Sequence, residues 1–473
     1  MLLRNPKVQA QIARRRSEVL QGSIATPERL VRELELVVFF DHRKLYKNGR
    51  LLSIEEMDED TRRAVIACKQ TPLGPEFKLA DKLHAIETLG SWMGLGKTTT
   101  INVTASDKIP ISLVRKILAD ANAIEDRREP KQVERPSMLR TRFCELFGVE
   151  LPIMQAGMGT IALADLAAAV SEAGAMGTVA LAGFTPEGIH NEIAAARRLT
   201  KKPLACNLLI PFLQPGVAEA VAAAPVEAVT LFWGVPAEYV SRFKKAGKKV
   251  IWQCGSAEEA VTAKRAGADL IIAQGVEAGG HVRGLVSTMV LVPQVRDAIG
   301  NLPILAAGGL ADGRGLAAVL ALGADGAVFG TRLLASWESA AHPAYKNRIV
   351  SARAEDTVHT KLYDMGWPDA AHRVLRTAVY EEWERAGRPE SGRRPGEGKV
   401  VGTLRRAGME MPPLVKYTSM APTKYIEGEL EEFALYAGTS CALVDEIASA
   451  GEIVRRIAAE AREVIGQRLA ALA

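Results

Sequence analysis

From residue 150 onward, short continuous apolar runs alternate with longer segments in which Ala, Leu and Val recur at helical spacing. The runs are LPIMQAGM (151–158), MGTVAL (176–181), PLACNLLI (203–210), AVTLFWG (228–234), KVIWQC (249–254), ADLIIAQG (268–275), PILAAGG (303–309) and GAVFGT (326–331). Apolar runs without alternation are what parallel strands buried on both faces require. Three of the intervening helical segments end in AG or LG just before the next strand, a C-cap signal. Eight strand–helix units predict the α/β class and a closed (β/α)8 TIM barrel. An open Rossmann-like sheet is the second option. It calls for GxGxxG after its first strand, and AGMGT stands there instead.

The texture before residue 130 differs. It is charged and helical in pattern, broken by GRLLSIEEMDED and TPLGPEF. EDRREPKQVERPS (125–137) has two prolines and almost no apolar residue, and reads as a linker. Residues 345–435 break the barrel rhythm and read as a small C-terminal insert domain. The predicted organisation is a mainly helical N-terminal appendage (1–124), a linker (125–137) and a barrel (138–473) carrying the insert. The closing segment EIVRRIAAEAREVIGQRL is an amphipathic helix expected to pack on the barrel.

Composition narrows the class. With 48% hydrophobic and 24% charged residues among 473, and a mean hydropathy of +0.03, the chain can bury a large core and is not disordered. It has no apolar stretch long enough for a membrane span and no signal-peptide pattern at Met1, so a soluble cytoplasmic protein is expected. The net charge is +5, and it arises upstream: residues 1–135 hold 24 basic against 19 acidic residues, and the remainder is balanced. So small a surplus is an ordinary solvated surface, and nucleic-acid binding is not expected of it. Cysteines 68, 144, 206, 254 and 441 show neither CxxC nor metal-ligand spacing, and are expected to be reduced thiols. No 2-His-1-carboxylate spacing is present, so no metal is expected.

Barrel chemistry belongs at the C-terminal strand ends. Those positions are Gln155 to Met158, Asn207, Gln253, Gln274 to His281, Gly308–Gly309 and Gly330–Thr331. Strands seven and eight end in AAGGLADG and FGTR. Glycines there let the backbone approach a ligand, and the following helix N-termini would present N–H groups to an anion. Together they predict one phosphate site, not the two that a dinucleotide would need. AQGVEAGGHVRG, after strand six, offers His281 as a base or hydrogen-bond donor near neutral pH. His42, His84, His190, His342, His359 and His372 lie on helical or polar segments and are expected to be structural or exposed. GSWMGLGKTTT (90–100) imitates a nucleotide-binding P-loop, but its spacing requires glycine where Ser91 stands.

QAGMG, the CNLL strand, AQGVEAGGHVRG, AAGGLADG, FGTR and YAGTSCALV resemble, in this order, the nitronate monooxygenase (2-nitropropane dioxygenase) family over residues 140–473. The resemblance implies an FMN-dependent barrel that oxidises alkyl nitronates with O2 to a carbonyl compound and nitrite, a monooxygenase flavoprotein. It implies His281 as the catalytic histidine. Gly157 and Met158 would lie beside the flavin, and Asn207, Gln274 and Gly279 would contact its ring or ribityl part. Gly309, Gly330 and Thr331 would hold the phosphate, with Val328 and Phe329 beside them among the cofactor-binding positions. Val328 stands where relatives often have Gln. In this family the insert packs over the flavin edge, which makes Tyr417, Ser419 and Tyr425 substrate-side candidates. FMN-dependent enoyl-acyl carrier protein reductases share these motifs and give the alternative activity.

LLRNPKVQAQIA, RLVRELELVVFFDHRKLYKNGRLLSIEEMDEDTRRAVIA and KLADKLHAIETLGSWMGL resemble the phage terminase small subunit downstream of its helix-turn-helix. The resemblance covers residues 2–95 and implies a helical module suited to self-association. A DNA-packaging role through this module is a third reading.

Overall fold

The computed structural model describes residues 139–472, apart from 235–236 and 407–412, and upstream of these only the backbone of four short strands. The chain divides into two units, Met1–Val133 and Glu134–Ala473. In the first unit, Tyr46–Lys47 pairs antiparallel with Arg50–Leu51, and Val65–Thr71 with Gly74–Leu79. Arg50–Leu51 and most of Gly74–Leu79 fall in the two segments read as breaks in the helical pattern, whereas Tyr46–Lys47 and Val65–Thr71 are strands where helix was expected. VIACKQT is rich in β-formers, and Pro72 with Gly74 suits a turn rather than a helix. The other helices expected upstream, the linker 125–137 and the segment 90–100 lie outside the described residues.

The second unit is the predicted barrel. Its strands are β1 (Ile153–Gln155), β2 (Gly177–Ala180), β3 (Leu204–Leu209), β4 (Ala228–Phe232), β5 (Lys249–Cys254), β6 (Leu270–Gln274), β7 (Ile304–Ala307) and β8 (Ala327–Phe329). All pair in parallel in chain order, and β8 pairs with β1. Closure between β1 and β2 runs through Met176, whose N–H donates to Ile153 O and whose carbonyl accepts from Gln155 N–H, both at 2.9 Å. Cys206, Leu208, Val229, Leu231, Val250, Trp252 and Ile271 pack into the helix layer, while their neighbours Ala205, Ala228, Ile251, Leu270 and Ile272 fill the barrel. Burial on both faces is the physical reason the strands read as unbroken apolar runs. A short helix, α1 (Arg142–Phe147), contributes Phe143, Cys144 and Phe147 to the inner cluster and closes the barrel's N-terminal end.

The helices that follow β1 to β7 are α2 (Ala164–Glu172), α3 (Pro186–Leu199), α4 (Val217–Ala223), α5 (Ala237–Lys245), α6 (Ala257–Ala266), α7 (Thr288–Ile299) and α8 (Gly313–Ala321). Local sequence sets their ends. Thr185 caps α3 by accepting from Gly188 N–H at 3.1 Å, with Pro186 at the first helical position. Ser256 caps α6 by accepting from Glu259 N–H, and Gly267 closes it at φ +91°. After β8 come α9 (Thr331–Leu334), α10 (Pro343–Val350), α11 (Ala378–Arg385) and the amphipathic α12 (Ala450–Glu463). α12 docks on α2 and α8 through Ile453, Val454, Ile457 and Ala461. Gly313 permits this approach, since a Cβ there would lie 2.3 Å from Ala461 N.

The insert is built of two three-stranded antiparallel sheets. One joins Thr357–Thr360 and His372–Leu375 to a two-residue strand, Gly280–His281, from the β6 loop. The other joins Val400–Leu404 to Leu414–Val415 and Ile426–Gly428. Among the described residues, no helix is long and apolar enough to cross a membrane, and no three His, Cys, Asp or Glu side chains cluster as metal ligands would.

Candidate active site

A cavity of about 740 Å³ opens at the C-terminal ends of the strands, between the barrel mouth and the insert. It brings together Gly157, Met158, Asn207, Gln274, Gly279, His281, Gly309, Val328, Gly330 and Thr331, as well as Ser419 from the insert. Three other sequence-predicted residues stand apart from it. Phe329 is fully buried in the layer between barrel and helices, because alternation along β8 turns it away from the interior. Tyr417 is also fully buried. Its backbone takes φ +68°, and its hydroxyl donates to Pro395 O at 2.7 Å beneath the Arg394 guanidinium, inside the insert. Tyr425 packs under Arg406 and Lys424. These two aromatics hold the insert together instead of facing a substrate.

The glycines act by letting atoms come close. A Cβ on Gly157 would lie 2.4 Å from Asn207 Cβ, so this glycine makes room for the Asn207 amide at the cavity floor. A Cβ on Gly279 would lie 2.4 Å from Gly438 N, so Gly279 lets the β6 loop touch the segment that carries Tyr436. Gly308 and Gly309 take φ +103° and +72°, the left-handed region glycine favours.

At the β7 and β8 ends the expected anion site takes a different form. The N-terminus of α8 is already filled: Asp312 accepts from Gly315 N–H at 3.1 Å and Glu460 from Gly313 N–H at 2.8 Å. The open donors lie in the loops instead. Among the described residues, nothing accepts from the N–H groups of Gly308, Gly309, Gly330 or Thr331. Gln274 adds a buried acceptor: its amide NH2 donates to His281 O at 3.0 Å, and its Oε1 has no partner. Glu277, the acid of the same loop, is a support. It accepts from Thr288 N–H at 2.9 Å and from the Thr288 hydroxyl at 3.0 Å, capping α7 behind the loop.

His281 is held by its backbone in the strand pair with His372. Its ring stacks on Trp367, with centroids 3.9 Å apart and planes at 28°. The Trp233, His372 and Tyr436 rings approach it at 6.0, 5.3 and 5.4 Å. Its Nε2 is enclosed without a hydrogen-bond partner. Burial, followed by the neighbouring His372, pushes the His281 imidazole well below the usual histidine range. His372 is fully buried, not exposed. Its Nδ1 faces Ala370 O at 2.8 Å and its Nε2 accepts from Tyr363 N–H at 3.3 Å, while burial lowers it to about 4. Both rings are therefore neutral at pH 7. None of the side chains lining the cavity carries a formal charge, and its upper wall is apolar: Phe212, Met365, Trp367 and Met420.

Trp367, Met365 and Tyr436 are the site residues that sequence reasoning passed over. Trp367 and Met365 lie in a segment of the insert with neither helical nor strand periodicity, whereas Tyr436 opens the YAGTSCALV motif just past the insert, where the motif signals the family but not that this side chain faces His281.

Residues 140–228 and 214–460 match the family model for nitronate monooxygenase, and residues 1–109 match that for the terminase small subunit. The chain is 32% identical over 346 residues to the "(3aS,4S,5R,7aS)-5-hydroxy-7a-methyl-1-oxo-octahydro-1H-indene-4-carboxyl-CoA dehydrogenase" of Rhodococcus jostii, a match that covers 69% of this chain and 96% of that protein. It is 36% identical over 272 residues to a "Probable nitronate monooxygenase" of Staphylococcus saprophyticus, covering 47% and 76% of the two chains. Among solved structures, FabK from Thermotoga maritima superposes with a TM-score of 0.59 at 36% identity, over 70% of this chain and 99% of that one.

Proposed function

The chain belongs to the nitronate monooxygenase family, whose members are oxidoreductases, and on that premise we propose that it binds FMN and oxidises alkyl nitronates with O2 to a carbonyl compound and nitrite. The supporting observation is the pairing, in one uncharged cavity, of an open N–H cradle with a neutral histidine. The four N–H groups at Gly308, Gly309, Gly330 and Thr331 suit one phosphate and need no basic side chain. Asn207 and the unpartnered Gln274 Oε1 suit the polar edge of a flavin ring. When bound, the flavin supplies the electron-transfer chemistry.

The chain's own residues do the rest. Gln274 fixes the His281 backbone, and Gly279 lets the loop close beneath Tyr436. Phe212, Met365, Trp367 and Met420 keep water from the substrate. His281 either takes the α-proton of a neutral nitroalkane or donates a hydrogen bond to the oxygens of a nitronate.

A second reading is reduction of an unsaturated acyl thioester, as in the flavin-dependent enoyl reductases. The likeness to a carboxyl-CoA dehydrogenase favours it. One preparation separates the two. We expect a yellow protein that releases FMN and forms nitrite from propionate 3-nitronate under air. Anaerobic bleaching by NADPH without nitrite formation would replace the first reading with the second, and released FAD would overturn the cofactor assignment.

A further inference from the structure

A catalytic base that becomes charged on taking a proton needs something to stabilise that charge. Beside a histidine this is commonly a carboxylate. Here the cavity lining contains no Asp or Glu. Instead, Trp367 lies flat against the imidazole at 3.9 Å, with Trp233 and Tyr436 closing two more sides. The assembly is braced. Phe212 and Trp233 each meet the Trp367 ring edge-on with centroids 4.9 Å away, and Tyr436 donates its hydroxyl to Ser419 O at 2.7 Å. Trp233 holds φ +67°, a conformation that costs a bulky residue energy and persists only where its surroundings fix it. Aromatic cages of this kind elsewhere receive a ligand cation. Here the guest is the protein's own histidine.

We propose that Trp367, with Trp233 and Tyr436, is a π-cage that stabilises His281 as imidazolium when it takes the α-proton of a neutral nitroalkane. The step is a simple transfer. The substrate C–H bond breaks, its electron pair moves onto the nitro group to form the nitronate, and the proton goes to His281 Nδ1, since Nε2 is closed off. This rests on the proposed function, in which His281 is a base.

The other polar groups near the ring are committed elsewhere. His372 faces Ala370 O and Tyr363 N–H. Arg373 donates to Val276 O, and Glu277 accepts from Thr288. Arg283 lies over the Trp233 ring and pairs with Glu259. Burial drives the imidazole toward its neutral form, and the cage limits how far.

The test compares Trp367→Phe and Trp367→Leu with the wild type, on a neutral nitroalkane and on its preformed nitronate, from pH 5 to 9. For the neutral substrate, kcat/KM should fall from Trp to Phe to Leu, by about 30-fold in the Leu variant, the scale of a desolvated cation–π contact. The nitronate gives up no proton and should lose less, only what the shielding by Trp367 contributes, and the acid limb of the neutral-substrate profile should move to lower pH. Equal losses on both substrates, equal Phe and Leu variants or an unmoved acid limb would each overturn the cage. NMR titration of His281 gives a readout free of turnover: Trp367→Leu should lower its titration midpoint further, and an unchanged midpoint refutes the proposal. If the wild type forms no nitrite from either substrate while the midpoint still shifts, the proposed function has failed and the cage stands.

Discussion

Gly157→Ala probes how the cavity floor is assembled. The added Cβ would sit 2.4 Å from Asn207 Cβ and 2.5 Å from Asn207 Cγ, about an ångström inside ordinary carbon contact. Rotating the Asn207 side chain cannot relieve a clash at its own Cβ. Asn207 is buried on β3, which is hydrogen-bonded to β2 and β4 on its two sides, so its backbone has little room to retreat. Overpacking of this kind costs about 1–3 kcal/mol. At roughly 2–4 °C per kcal/mol for a large domain, the flavin-free protein should melt about 2–12 °C lower. Displacing the Asn207 amide should also remove one hydrogen bond to the cofactor, about 0.5–1.5 kcal/mol, which weakens flavin binding roughly 2- to 13-fold. Thermal unfolding and fluorescence titration with FMN measure the two effects separately. Adding Asn207→Gly should recover stability beyond the sum of the single changes, because the obstructing Cβ is gone, but it should not recover affinity. Unchanged melting and unchanged flavin binding in Gly157→Ala would refute the packing argument. Recovery of both in the double variant would show that Asn207 does not touch the cofactor.

Two further outcomes follow from named groups. Gly309→Asp puts a side chain at φ +72° with its Cβ 3.5 Å from Glu277 Cβ, so a second carboxylate crowds Glu277 and should push the loop out of shape and give colourless protein; flavin retained at wild-type stoichiometry would remove this loop from the cofactor site. His372 is buried neutral with its pKa lowered to about 4, so its contribution is fully present above pH 6.5 and is lost as pH falls toward 4, when a proton on Nε2 displaces Tyr363 N–H. That shift is on the order of 3 kcal/mol, and urea unfolding should show the wild type losing that much more stability than His372→Asn over this range; parallel pH profiles would contradict it.

The barrel was legible because its physics is local. Strands buried on both faces must be apolar at every position, and turns such as AAGGLADG must carry glycine. The strand-end rule then located His281, Gln274, Asn207 and the β7 and β8 glycines. Residues whose role depends on a distant segment were not legible. Tyr417 looks like Tyr436 in sequence, yet one is buried within the insert and the other faces His281. His372 sits in HRVL, which reads as polar surface until its antiparallel pairing with His281 is known. The closed N-terminus of α8 was partly readable, since Asp312 stands at the N-cap position, but its second acceptor, Glu460, comes from α12.

The pairing of His281 with His372 also orders the protein's biogenesis. β6 leaves the ribosome well before the insert strand that fixes His281, and Tyr436 and the α12 residues that hold α8 come later still. Contacts between such distant stretches form slowly, because the intervening chain must first be closed into a loop. A nascent chain halted after β8 would therefore have all eight strands and the glycine cradle, but a histidine without its partner strand or its aromatic surroundings. On the proposed function, cofactor capture would thus precede catalytic competence during synthesis, and the surroundings of His281 are complete only when the insert folds back over the barrel mouth.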